Sequence, residues 1–229
     1  MISTQLLRQS QPQSHIFYTT SGSRTSRPSR RPSDDGTRSL ARGPCSDPRR
    51  LATEYTPWRL DMKSLILFRH GKSDWDTEAS DHERPVNGRG KKAAKAMGRL
   101  LKAIGQKPDG VVTSSAVRAR TTAERAQKAG GWTAPLRVTP ALYEATPFTV
   151  LKEVRAEPES TQCLLLVGHQ PTWSELVSLL VGGGLFRFPT ATMARVDLHI
   201  DRWRDAEYGR GELVWLIAPR LLTDGDVSV

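Results

Sequence analysis

The sequence predicts one α/β domain, a three-layer sandwich in which helices cover a mostly parallel central sheet with an antiparallel edge. Three observations carry this prediction. From Met62 onward, short apolar runs alternate with amphipathic stretches at helical spacing. Turns rich in Gly or Pro separate them, and the last two apolar runs are joined by a charged turn instead of a helix. At 229 residues the chain has room for one substantial core.

The elements follow in order. Residues 64–68 form an apolar run that ends in a polar turn and read as a buried strand. Over 90–104, Ala93, Ala96, Met97, Leu100, Leu101 and Ile104 recur at helical spacing, with lysines and Arg99 on the opposite face. A second strand is predicted at 110–113, a second helix at 116–128, and a third helix at 148–156 between Pro147 and Pro158. The run 163–167 is the most strand-like and leads through Gly168-His169-Gln170-Pro171 into a helix over 172–181, closed by three glycines. Residues 194–200 and 213–218 read as the closing strands. Between Ala129 and Cys163 only a loop and the short helix are expected.

Residues 1–61 are rich in Ser, Arg and Pro, lack an apolar period and carry no acid before Asp34. Such a segment buries too little apolar surface to offset chain entropy, so it is expected to be a disordered extension of a domain at 62–229. Its composition fits an organelle transit peptide. Alternatively it is no functional element, and the natural start is Met62. The first reading places the protein in an organelle and the second, which is favoured, in the cytoplasm.

The formal net charge is +10, and residues 1–62, with ten arginines and five acids, supply half of it. That charge permits a nucleic-acid binder, but the domain itself is only mildly basic and has no aromatic-and-basic strand motif, so no nucleic-acid partner is expected. Cys45 and Cys163 stand in no ligand spacing, which argues against a disulfide framework or a metal site. The apolar runs are too short to cross a membrane.

Four groups carry candidate chemistry. Arg69-His70-Gly71-Lys72-Ser73 follows the first strand, where ligands collect in open α/β sheets. Ser114 to Ala123, with Arg118 and Arg120, spans a strand-to-helix junction, a place that favours anions. His169 sits at the tip of the most apolar strand, and Glu144 lies in a loop. Each group also has a plainer reading as a polar strand end, a solvated helical face or a satisfied buried histidine.

In this order and spacing, Arg69-His70-Gly71, Arg118-Ala119-Arg120-Thr121-Thr122-Ala123 and Gly168-His169 resemble the histidine phosphatase superfamily, whose fold is phosphoglycerate mutase-like. The stretch from Met62-Lys63 to Lys72-Ser73, together with Asp81, Arg84, Pro85, Asn87, Arg89 and Gly90, is similar to its SixA-like phosphohistidine phosphatase branch; Val86 stands where that branch has Leu. The resemblance covers residues 62–220. It implies that His70 is the nucleophile that becomes phosphohistidine and that Arg69, Arg118 and His169 hold the phosphoryl oxygens. It further implies Ser73 as a substrate-binding residue and Glu144 as the acid, a position that varies in the superfamily. No metal or cofactor is implied.

A nucleophilic imidazole must be neutral, and neighbouring arginines disfavour its protonation. They also offset the charge that spreads over the equatorial oxygens in phosphoryl transfer. No insertion is long enough to form a lid, so an open pocket suited to a phosphohistidine on a protein surface is expected, with a general phosphomonoesterase of sugar or nucleotide phosphates as the alternative. A degenerate phosphoprotein binder is disfavoured because all four pocket residues are present. Trp75, Trp173, Trp203 and Trp215 read as packing residues, with Trp75 and Trp173 near enough to the motifs to border the pocket. His82 and His199 are assigned to surface or structure. The oligomeric state is left open.

Overall fold

The computed structural model describes residues 62–223, so the expectations for residues 1–61 fall outside the described residues. One six-stranded sheet organises the domain. Strands β1 (Lys63–Arg69), β2 (Gly110–Ser114), β3 (Leu136–Thr139), β4 (Cys163–Gly168), β5 (Met193–Leu198) and β6 (Gly211–Ile217) lie in the order β3-β2-β4-β1-β5-β6. The first four run parallel to one another, and β5 and β6 add the antiparallel edge. The helices are α1 (Gly88–Ala103), α2 (Val117–Gly130), α3 (Pro147–Arg155), α4 (Thr172–Leu180) and the single turn α5 (Arg220–Thr223).

Alternation along the strands builds the two cores. Leu65 and Leu67 of β1 pack with Leu164 and Leu166 of β4 against α3 and α4. Ile66 and Phe68 pack with Leu165 and Val167 against α1 and α2. Because successive side chains of a strand point to opposite faces, the continuous apolar runs of β1 and β4 are what a doubly covered strand requires. Strand β3 was not expected. It is an edge strand of four residues with Arg137 and Val138 exposed, so it lacks the apolar run that marks the central strands. The last strands also shift: Ile200 falls beyond β5, and β6 begins at Gly211, two residues before the expected start.

Trp173 and Trp203 are fully buried, as packing residues should be. Trp173 lies beneath the backbone of Gly168 instead of bordering the pocket. Lys63, part of the Met-Lys pair, is buried and donates to the carbonyls of Glu159 and Thr161, so it closes the chain ahead of β4 and is remote from the strand tips.

Helices α1 and α2 meet through small residues. A Cβ at Gly98 would lie 2.1 Å from the carbonyl oxygen of Ala126, so the two backbones touch there. Gly98→Ala gains up to about 1 kcal/mol of helix propensity. Separating two packed helices costs more, about 1–3 kcal/mol. The expected outcome is net destabilisation, read as a lower urea midpoint with an unchanged slope.

Candidate active site

The parallel register of β1 and β4 sets Arg69 opposite Gly168, and the amide of His70 donates to the Gly168 carbonyl at 3.0 Å. His70 and His169 therefore emerge side by side, their ring centroids 5.1 Å apart. Both are buried. The neighbouring strand β2 delivers Ser114 and then α2, whose second residue is Arg118. Arg118 is 6 % exposed, which removes the reading of a solvated helical face, whereas Arg120 is exposed and only loosely paired with Glu124.

Hydrogen bonds fix the imidazoles. His70 Nδ1 lies 2.7 Å from the carbonyl oxygen of Gly71, which can only accept, so Nδ1 carries the proton and Nε2 keeps its lone pair. Nε2 has no hydrogen-bond partner among the described residues. Ser114 Oγ accepts from the Ala116 amide and lies 2.9 Å from His169 Nε2. If the hydroxyl donates to that nitrogen, the proton of His169 sits on Nδ1, a buried atom without a protein partner.

Burial holds both rings neutral. It lowers the pKa of His70 to about 4, against a hydrogen bond to Gly71 that raises it and with help from the charges of Arg118, Arg69 and Arg84. His169 is lowered to about 3 by burial, His70 and Arg118.

A glycine pair shapes the loop after β1. A Cβ at Gly71 would stand 2.9 Å from the Gly90 carbonyl oxygen, and one at Gly90 would stand 2.5 Å from that of Lys72. The Gly71 amide donates to Thr122 Oγ1, whose own hydroxyl donates to the Arg118 carbonyl. Thr122 therefore ties the His70 loop to the first turn of α2.

The structure gathers Arg69, His70, Arg118 and His169. Ser73 is buried, pairs with Val86 through its backbone, and its hydroxyl makes no hydrogen bond among the described residues. Glu144 is exposed, in the left-handed backbone region at φ 50°, and makes no hydrogen bond or ion pair among the described residues. Arg69 donates to the Phe188 carbonyl, and its buried Nε has no partner.

Asp81, of the Asp-x-x-Arg-Pro run, is the main partner of Arg118. Its backbone oxygen takes Arg118 Nη1, and its Oδ2 takes Arg118 Nη2 at 2.8 Å and the Tyr143 hydroxyl at 2.9 Å. Arg84 binds Oδ1 and stacks on the exposed ring of Trp75. Burial opposes it, but the hydrogen bonds from Tyr143 and Arg118 hold the Asp81 carboxyl below the usual carboxylate range. His82, assigned to surface or structure, has a structural place: it reaches Ser115 Oγ at 2.9 Å and meets Tyr143 edge-on, while its carbonyl takes the Val117 amide. The loop before α1 thus covers the outer side of Arg118 and occupies one N–H of the α2 terminus. The signal for Asp81 was its place in the Asp-x-x-Arg-Pro run; Tyr143 gave none beyond its neighbour Glu144.

A family model described as the histidine phosphatase superfamily, branch 1, matches residues 65–147. An uncharacterised protein of Mycobacterium tuberculosis is 36% identical over 165 residues, which are 67% of this chain and 100% of that protein. The protein histidine phosphatase SixA, solved in complex with tungstate, is 26% identical with a TM-score of 0.61, covering 69% of this chain and 99% of that one. A candidate phosphohistidine phosphatase SixA from Nakamurella multipartitia is 29% identical with a TM-score of 0.60, covering 69% and 96%.

The two lowered histidine pKa values make stability depend on pH. Between the ordinary value of 6.5 and about 4 for His70, or about 3 for His169, the unfolded chain binds protons that the folded site refuses. Stability is full above about pH 6.5 and is lost as the pH falls through this window. The melting temperature should drop accordingly, and a His70→Asn variant should show a shallower drop.

Proposed function

The chain belongs to the histidine phosphatase superfamily and is a phosphatase of that family, and from this premise we propose that it hydrolyses phosphohistidine on a protein through a phosphorylated His70. The single observation that carries the reading is the state of His70: a neutral ring pinned at Nδ1 by Gly71, with Nε2 unpartnered amid Arg69, Arg118 and His169. The similarity to SixA, a protein histidine phosphatase that binds tungstate, a tetrahedral oxyanion shaped like phosphate, supports it.

In this mechanism the Nε2 lone pair of His70 attacks phosphorus. The P–N bond of the substrate breaks, and its electron pair stays on the departing ring nitrogen. When the substrate ring enters protonated on its other nitrogen it leaves as neutral imidazole, so no acid need supply a proton at that moment. Arg69, Arg118 and the Nδ1–H of His169 bind the three equatorial oxygens as their charge builds. Water then attacks the phosphorus held on His70, the P–Nε2 bond breaks, a proton is lost to solvent and phosphate departs.

The test is a turnover panel with a phosphohistidine peptide, an aryl phosphate and several sugar phosphates. His70→Ala should reduce kcat/KM on every active substrate by about a thousandfold or more, and wild-type protein should leave an acid-labile phosphoryl group on His70 after rapid quenching. Undiminished turnover in His70→Ala defeats the reading.

Glu144 gives a second measurement. Because a protonated imidazole leaves without help and Glu144 is exposed, Glu144→Gln should keep phosphohistidine turnover within about threefold of wild type. It should lose about tenfold or more on an alkyl phosphate, whose oxyanion leaving group needs a proton. Equal losses on both substrates count against phosphohistidine as the preferred leaving group.

A further inference from the structure

A hollow of about 700 Å3 beside the His70 loop is lined by five cations, Lys72, Arg89, Lys92, Arg187 and Arg220, and by no carboxylate among the described residues. All five are exposed, and none makes an ion pair or side-chain hydrogen bond among the described residues. Unpaired cations occur elsewhere among the described residues too, as at Lys95, Arg99 and Arg125, but these five line one hollow.

Helix stability does not account for the arrangement. Arg89 and Lys92 stand in and next to the first turn of α1, which has no acid, so their charges oppose the positive end of the helix dipole. The dipole adds to the potential of the hollow. Lys72 lies two residues beyond His70, and the wall formed by Pro189 and Thr190 continues into Ala191, whose amide donates to the His70 carbonyl at 3.0 Å. The groove therefore borders the loop that carries His70.

We propose that the groove is the docking surface for an acidic stretch of the phosphorylated protein, an inference that rests on the phosphohistidine reading above. The cations come from four separate segments, which matches carboxylates spread over several residues better than a single phosphate. Between them lies an apolar floor that includes Ala93, Leu216 and Pro219. No aromatic side chain among the described residues lines the groove, so they offer no platform on which bases stack, and a nucleic acid is the poorer fit. Long exposed cations around an apolar floor are the pattern of a polar interface rim, where opposite charge speeds encounter and fixes orientation.

The test uses the full chain and two peptides that carry a central histidine, one flanked by glutamates and one by glutamines. Each is made with and without phosphorylation. Fluorescence anisotropy of the unphosphorylated pair reads docking alone. The acidic peptide should bind about tenfold more tightly than the neutral one at low salt, and the preference should shrink as salt rises to about 0.5 M. The double reversal Lys92→Glu/Arg220→Glu should abolish that preference, and on the phosphorylated pair it should raise KM for the acidic peptide with little change in kcat. Equal binding of both peptides by wild type, or an equal effect of the double reversal on both, overturns the proposal. So does a tenfold gain in affinity for the acidic peptide in Asp224→Asn/Asp226→Asn, which would make the chain's own terminal acids the occupant. If neither phosphopeptide turns over while an aryl phosphate does, the substrate reading fails, and the anisotropy measurement still decides the groove.

Discussion

The site depends on one pairing, the parallel register of β1 with β4. Because Ser64 pairs with Cys163 and every later residue follows in step, Arg69 meets Gly168 and the next residue of each strand is a histidine. A slip of one residue would turn Leu65 and Leu67 toward the wrong core and move His70 away from His169. The same apolar alternation that specifies the sheet therefore specifies the site. Gly168 serves both, since the Trp173 ring packs where a side chain would stand and holds α4 against the strand tip.

Around that pairing the protein solves an electrostatic problem. An anionic substrate calls for positive charge, while the nucleophile must stay unprotonated. Burial meets the second demand and the arginines meet both, because the charges that attract phosphate also push the imidazole pKa values down. Arg118, itself buried, is held by Asp81, which keeps the guanidinium oriented and partly neutralised while no phosphate is bound. Thr122 secures the other side by joining the Gly71 amide to the Arg118 carbonyl. Among the described residues the cations of the neighbouring groove have no such partners.

The central elements were legible because they combine a strong period with clear punctuation. Strands β1, β2 and β4 and helices α1 to α4 appear close to the expected limits. Strand β3 was hidden because an exposed edge strand needs only one partner and shows little apolar pattern. Among site residues, His70, Arg69, Arg118 and His169 were legible because each stands at the end of an element that the sequence marks. Asp81, Ser114 and Tyr143 were not, because their importance comes from long-range hydrogen bonds to groups 37, 55 and 62 residues away. Ser73 and Glu144 were named through motif position, and the backbone then set the first into a bridge and the second out toward solvent.

By itself the sequence determined the layered α/β architecture, the two covered faces of the sheet and the four residues brought to its carboxyl edge, since periodicity and element ends are local properties. Only the tertiary structure decided which nitrogen of His70 is free, how far burial lowers its pKa, and that Asp81 rather than Glu144 faces Arg118. Those outcomes depend on distances between segments far apart in the chain, which local pattern does not encode. The basic groove belongs to the same class: Lys72, Lys92, Arg187 and Arg220 stand apart in the sequence and become one surface when the sheet and α1 pack together.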